Sequence, residues 1–493
     1  MKFIFAFVMG TIMAAIAVPT AADPADQPFV RNDHLGTGVH FGGDATGAWD
    51  RDRGAIIKLI ASSGLGWVRT GTNWQEIEPI KGSYQIPRNM FDELDAEHRA
   101  GLKVDLLFDG PNTLYADNFD PQAYGAAAAY LAKTLAGRID AIEILNEPNN
   151  FGVRKFYGNG SWNGYEADGT ASLWIKKYVL ILNAAAKAIK AVNPTIKVIG
   201  LGSPAPANFR QIAMGLAPEV DGITDHPYSN STVPEILPFP AVPEIIKRDG
   251  IAVADKRGSF ESMMRMYREQ CAKYAGPKEI WLTEFGYSTF QKDKSSASNM
   301  FSPFTESAQA KYLVRRMLAC LGMGINHAFQ YDFKDDGTDP HNPENNFGLV
   351  HHDLSPKPSY YALQRLIKVM DGYEPKQNFE VNVYTVDDRL DTWPITWDGG
   401  KIAAPGTIAT YQFSNNQGDA MVALWSQEHA DGDLQPRYAD VELVTDASVA
   451  SITGYDLWTE KSFPIQFEKK GKRIEISGVT IPDYPILLTI KSS

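Results

Sequence analysis

The chain has 493 residues, of which 44% are hydrophobic and 22% charged, with a formal net charge of −12. That length exceeds one ordinary domain and suits a large barrel joined to a smaller domain. The composition excludes a disordered chain and a polytopic membrane protein, and the acidic balance argues against nucleic acid or an anionic membrane as partner.

Residues 1–22 read as a secretory signal peptide. Lys2 gives the positive start, Phe3 to Val18 is an apolar stretch of h-region length, and Thr20, Ala21 and Ala22 form a small-residue cleavage site. The run is short for a membrane span, and no Cys follows it to carry a lipid. The expected location is therefore secreted or periplasmic, with a mature chain starting near Asp23.

From about residue 34 to 370, strand-like and helix-like segments alternate. The strand candidates are Gly36–Phe41, Trp67–Gly71, Val104–Phe108, Ile139–Asn146, Ile196–Gly202, Gly222–His226, Ile280–Glu284 and His327–Asp332. Amphipathic stretches lie between them, among them Ala55–Ser62, Met90–Ala100, Gln122–Leu135, Trp174–Val192, Phe260–Tyr274 and Ala308–Leu321. This alternation predicts an α/β fold, a (β/α)8 TIM barrel over residues 23–372. Loops rich in Gly, Asn, Pro, Ser and aromatics at 149–172, 229–258 and 288–305 follow strands, so they belong on the C-terminal face of the barrel, where sites are built. Beyond residue 372 the pattern changes to short strands and turns, among them Thr407–Phe413, Met421–Ser426, Asp440–Val444, Ile452–Asp456, Arg473–Ile476 and Ile486–Ile490. Residues 373–493 therefore read as an all-β sandwich, to which residues 23–33 are expected to add a strand. Cys271 and Cys320 fall on helices before strands seven and eight, where a disulfide and two buried thiols are both compatible with the sequence.

Two carboxylates end apolar strand-like runs. Glu147 lies in Asn146-Glu147-Pro148 after the fourth, and Glu284 lies before Phe285-Gly286-Tyr287 at the end of the seventh. Strands four and seven face each other across a barrel mouth. Two carboxylates across a sugar are what hydrolysis of a glycosidic bond requires. Pro148 disfavours helix at Glu147, and Asn146 can donate a hydrogen bond to a sugar hydroxyl. Buried on a central strand, Glu284 needs a partner, and Arg69 at the end of strand two can supply it and keep the group ionised. In Asp225-His226-Pro227-Tyr228, at the end of strand six, Tyr228 can orient the Glu284 carboxylate and His226 can line the sugar subsite. His40, Trp74 and Tyr331, near the ends of strands one, two and eight, are further candidates for substrate contact. Turn chemistry and ordinary ion pairing account for several of these residues taken singly; their agreement favours a site.

No metal or cofactor is expected. The adjacent side chains of His351-His352-Asp353 diverge, and the acid-rich stretch Asp332–Asp339 reads by default as a solvated loop instead of a Ca2+ site. Neither a phosphate-cradling Gly loop nor a Ser nucleophile elbow is evident.

Asn146-Glu147-Pro148 together with Glu284-Phe285-Gly286-Tyr287 resembles the clan A retaining glycoside hydrolases, most of all glycoside hydrolase family 39 and the related family 5 type. The stretch from Trp67 through Trp74 to Tyr84, and Phe347-Gly348-Leu349-Val350 followed by Ser355-Pro356-Lys357-Pro358, are similar to their second unit and to the segment after their eighth strand. The resemblance implies a (β/α)8 barrel, Glu147 as acid/base, Glu284 as nucleophile, Asn146 on the 2-hydroxyl of the bound sugar, and Arg69, His226 and Tyr228 around them. The chain departs from that pattern twice: Phe329-Gln330-Tyr331 stands where many members carry a Trp platform, and Phe108-Asp109-Gly110 where many carry a His. The sequence thus leads to a secreted retaining β-glycoside hydrolase, endo-acting on a polysaccharide by double displacement. An exo-acting β-xylosidase or β-glucosidase, a transglycosylase and a non-catalytic carbohydrate-binding protein remain as alternatives.

Overall fold

The computed structural model describes residues 30–41, 47–150, 152–292, 301–385, 390–394, 401–405, 408–430 and 435–492. The leader read at 1–22 lies outside these residues.

Eight parallel strands close into a barrel: β1 (Asn32–Gly38), β2 (Leu65–Asn73), β3 (Lys103–Asp109), β4 (Ala141–Ile144), β5 (Lys197–Leu201), β6 (Gly222–Asp225), β7 (Glu279–Phe285) and β8 (His327–Gln330). The seam is closed by β1 on β8, with Leu35 opposite Ala328 and Thr37 opposite Gln330. The residues expected to lengthen the sandwich do something else. Asn32 pairs with Leu65, so Asn32 and Asp33 open the first barrel strand. Their polar side chains masked the start of that strand in the sequence.

The helices form where apolar periodicity and capping agree. Asp120 accepts hydrogen bonds from the free amides of Gln122 and Ala123 at the head of helix Pro121–Thr134. Ser259 and Thr305 do the same for helices Phe260–Tyr274 and Glu306–Gly322. Helix Ala48–Ser63 ends at Gly64, whose φ of 89° is a left-handed stop that a side chain would strain. Cys271 and Cys320 are buried free thiols. Among the described residues, no helix is long and apolar enough to cross a membrane.

At the N-terminal end of the barrel, Trp67, Ala141, Ile199, Trp281 and Phe329 fill the interior. Glycine gives these rings their room. A Cβ on Gly36 would meet the Phe329 ring at 2.6 Å, and one on Gly222 would meet Trp281 at 2.9 Å. The floor is therefore closed by rings, with His327 packed 3.9 Å from Trp281 and Glu279 accepting from the Trp281 indole at 2.9 Å.

The C-terminal strands are antiparallel. They are β9 (Tyr373–Pro375), β10 (Glu380–Thr385), β11 (Leu390–Pro394), β12 (Lys401–Pro405), β13 (Ile408–Asn415), β14 (Ala420–Ser426), β15 (Arg437–Val444), β16 (Val449–Asp456), β17 (Lys461–Ile465), β18 (Glu468–Lys470), β19 (Arg473–Ile481) and β20 (Ile486–Ser492). One sheet has the order β10-β15-β19-β18, the other β17-β16-β20-β14-β13-β9, and β11 and β12 form a separate hairpin. Val422, Leu424 and Leu488 from one sheet and Val441, Leu443 and Ile476 from the other share a single core, as in a sandwich. The sandwich is tied to the barrel by buried charge. Arg315 binds Glu235 through Nε at 3.0 Å and Nη2 at 2.5 Å, Trp425 on β14 donates to the same carboxylate at 2.8 Å, and Arg315 also reaches the Glu428 carbonyl at 2.9 Å.

Candidate active site

The strand expected to run to Asn146 stops at Ile144. Leu145 has φ 63° and Glu147 φ 38°, both in the left-handed region that side chains disfavour. Pro148 thus keeps Glu147 out of a helix without leaving it extended. Hydrogen bonds hold this turn: Leu145 N–H to the Phe108 carbonyl at 3.0 Å, Asn146 N–H to Asp109 Oδ1 at 3.1 Å, and Asn150 N–H to the Glu147 carbonyl at 2.7 Å. Asp109, which stands where the resemblance expects a His, therefore fixes the backbone of Asn146.

Glu284 ends β7 and is nearly buried. Arg69 on β2 donates from Nη1 to Glu284 Oε1 at 2.7 Å, from Nε to Glu143 Oε2 at 2.5 Å and from Nη2 to Asn146 Oδ1 at 3.0 Å. Burial opposes the Arg69 charge, but Glu143, Glu284 and Asp105 outweigh it and hold its proton more tightly than usual. One guanidinium therefore sets both an acid and the Asn146 side chain, and leaves the Asn146 amide N–H groups free to donate. Tyr228 donates to the second Glu284 oxygen at 3.2 Å. Its loop is pinned from below by Arg316, which binds the Pro227 carbonyl at 3.1 Å, Ser229 Oγ at 2.9 Å and the Pro234 carbonyl.

Glu147 has different neighbours. His226 Nδ1 lies 3.0 Å from Glu147 Oε1 and 3.5 Å from Glu284 Oε2, while its Nε2 lies 3.2 Å from Thr283 Oγ1. Asn150 donates to the other Glu147 oxygen at 3.0 Å. Burial would lower the affinity of His226 for its proton, but Glu284 and Glu147 reverse this and push it up to about 9. Burial pushes the Glu147 carboxyl up, yet the hydrogen bond and charge of His226, with Asn150 and Arg69, leave it below its ordinary value. One ligand atom from each of Glu147, His226 and Glu284 lies within 4.8 Å of the others. With its hold on a proton raised, His226 can donate from both nitrogens, which lets the trio share a proton.

Glu147, Glu284, Asn146, Arg69, His226, Tyr228, His40 and Tyr331 line one cavity of about 1110 Å3 at the C-terminal mouth of the barrel. The long loops contribute Trp162, Asn230, Phe239, Arg248 and Phe301; residues 293–300 of the third loop lie outside the described residues. Tyr331 has its ring 5.5 Å from His40 and 5.4 Å from Phe347, making an aromatic wall where a Trp platform was looked for.

Trp74 is not in this wall. It begins a short helix, Trp74–Ile77, is fully buried, stacks on Tyr115 and donates from Nε1 to Glu78 at 2.8 Å. Its size and hydrophobicity favour burial beneath the loop once the strand gives way to helix. The stretch Asp332–Asp339 is not a solvated loop throughout. Asp332 is fully buried, Asp335 is nearly so and pairs with Lys357 at 2.7 Å, and Asp336 accepts from Trp49 at 2.8 Å. Cations and indoles from distant parts of the chain cover it, which local composition does not encode.

Sequence reasoning missed Glu143, Asp109 and Asn150. Glu143 is the one with a signal: it is a charged residue inside the apolar run of β4, and the strand period of two puts it on the same face as Ala141, inside the barrel.

No family model matches the sequence, and no curated protein matches it. Among solved structures, the chain is similar to a family 39 glycoside hydrolase from the gut symbiont Bacteroides cellulosilyticus WH2, at 20% identity and a TM-score of 0.65, over 94% of this chain and 81% of that one. A GH30 endoxylanase from Clostridium papyrosolvens C71 aligns over 95% of this chain and 98% of that one, at 12% identity and a TM-score of 0.48, too low to carry an argument. The fold of this chain, an eight-stranded barrel followed by a β sandwich, is thus one it shares with a glycoside hydrolase of family 39.

Proposed function

We propose that the protein is a retaining β-glycoside hydrolase that is exported and cleaves O-glycosidic bonds of a polysaccharide from within the chain. The observation that carries this reading is the close approach of Glu147 and Glu284, each held by a different set of neighbours. Their nearest oxygens lie within 4.8 Å. Such closeness supports retention, for which carboxyl groups stand about 5–5.5 Å apart, over inversion, which needs about 6.5–9.5 Å to admit a water.

In this reading Glu284, paired with Arg69 and oriented by Tyr228, attacks the anomeric carbon. The bond from that carbon to the leaving oxygen breaks as Glu147 delivers a proton to the oxygen. At rest the proton sits on His226, 3.0 Å from Glu147; it passes from Nδ1 to Glu147 and on to the leaving oxygen, which leaves His226 neutral and Glu147 a carboxylate. In the second half, Glu147 takes a proton from water, and the resulting hydroxide displaces Glu284 from the anomeric carbon. Asn146, with its amide N–H groups free, faces the sugar hydroxyl beside the reacting carbon. The cavity of about 1110 Å3 exceeds the ~300–1,000 Å3 of sites for single small ligands, which favours an oligosaccharide segment and endo attack.

The test is product analysis on β-glucans, xylans, mannans and exopolysaccharides, with anomers followed by NMR from the first turnover. Oligosaccharides of retained configuration are expected, with no turnover by Glu147→Gln or Glu284→Gln. Inverted product removes the double displacement, release of monosaccharide alone reassigns the enzyme as exo-acting, and turnover surviving both substitutions overturns the site.

A further inference from the structure

Behind the Tyr331 wall lies a second cluster that the proposed hydrolysis does not use. The Asp332 side chain is fully buried, and neither of its oxygens has a hydrogen-bond partner. Its Oδ2 points at His40 Nδ1, 3.9 Å away. Asp336 Oδ1 lies 3.0 Å from the same nitrogen. One ligand atom from each of the three lies within 4.8 Å of the others.

The nearby cations do not satisfy Asp332. Lys357 is committed to Asp335 at 2.7 Å, and Lys334 points to Asp52 at 3.5 Å and over the Trp49 ring. An ionised, fully buried carboxylate beside two others is costly without a counter-charge. His40 and Asp336 are 32% and 26% exposed, so the cluster has a way in from solvent.

We propose that His40, Asp332 and Asp336 bind a divalent cation of the Zn2+ or Mn2+ type, joining the end of β1 to the segment after β8 beside the sugar cavity. Three arguments support it. An imidazole with two carboxylates is a mixed nitrogen–oxygen donor set, which favours such cations over Ca2+. Ligands at about 2.0–2.2 Å from a cation stand roughly 3–3.5 Å apart, and the observed 3.0 and 3.9 Å need only small side-chain shifts to reach this. Trp49 already holds Asp336 in place at 2.8 Å, as groups around a metal site commonly hold a ligand. On binding, any proton carried by a ligand nitrogen or oxygen passes to solvent, and the freed lone pairs go to the cation.

The test uses the full chain, treated with chelator and then titrated calorimetrically with ZnCl2, MnCl2 or CaCl2. Thermal melting is followed in parallel. We expect one Zn2+ or Mn2+ per chain, a higher melting temperature on binding, and affinity weakened about 100-fold or more by Asp332→Asn and by His40→Gln. Asp332→Asn keeps the shape of the buried group, and His40→Gln tests a half-exposed position, so one reports if the other fails to fold. The proposal is overturned if none of the cations binds, if only Ca2+ binds, or if affinity survives both substitutions. It is equally overturned if binding is lost only in Glu147→Gln, which would put the cation among the sugar-site acids.

Discussion

Replacing His226 by Asn separates the two things this residue does. His226 is 4% exposed and lies 3.0 Å from Glu147 and 3.5 Å from Glu284. Its rise from an ordinary 6.5 to about 9 corresponds to about 3 kcal/mol of preference for the charged form in the folded state. A group held above its unfolded value contributes stability that is fully present below that value and is lost as pH rises through the folded one. Glu147 is displaced downward, so its contribution is present above the ordinary carboxylate range and is lost as pH falls. The wild type should therefore exceed His226→Asn in stability by about 2–3 kcal/mol near about pH 5.5, with the gap closing towards about pH 10. Denaturant unfolding at both pH values measures it. The activity should follow the same proton: kcat/KM of the wild type falls as pH rises through about 9. In the variant this limb moves to lower pH, because Glu147 then titrates alone. A stability gap that stays constant across the range, with an unmoved limb, would refute the shared-proton account.

Tyr228→Phe removes a hydrogen bond to a charged acceptor at 3.2 Å and should lower kcat about ten- to a hundredfold, with little change in KM, in steady-state assays. Trp74→Phe should leave KM unchanged while lowering stability by about 1–3 kcal/mol in denaturant melts, because the buried Glu78 loses its indole donor; a large KM effect would return Trp74 to the cavity wall. Gly36→Ala puts a methyl 2.6 Å from the Phe329 ring and should cost about 1–3 kcal/mol in the same melts, as overpacking does.

The barrel was legible because its strands and helices differ in hydrophobic period, and each βα unit repeats the contrast. Helix Phe260–Tyr274 matches its sequence-read limits, and the other helices expected between barrel strands differ from theirs by one or two residues, except the first, which starts at Ala48, well before the expected Ala55. Strand ends were harder. The change from strand to left-handed turn at Leu145 depends on the Phe108 carbonyl and the Asp109 carboxylate, both on the neighbouring strand. The two glutamates were legible because a carboxylate closing an apolar run needs a reason to be there. Glu143 was harder to see, since its partner Arg69 lies 74 positions away in sequence. Trp74 and Tyr331 both sit near strand ends, yet one opens a short helix and is buried against Tyr115 and Tyr124 and the other faces the cavity. That difference is decided by what packs over each ring, and neither neighbourhood is written locally.

Glu235 has consequences for how this protein can be dissected. The residue lies in the segment after β6 that also carries Tyr228, it is gripped by Arg315 from a barrel helix, and it accepts from Trp425 of the sandwich. Cutting the chain before Tyr373 would strip Glu235 of its indole and Arg315 of the Glu428 carbonyl, loosening the support under Tyr228. The sandwich is therefore a poor candidate for trimming or for exchange with a foreign appendage: it behaves as a keystone of the barrel, and a barrel expressed alone would inherit a slackened support for Tyr228 beside Glu284.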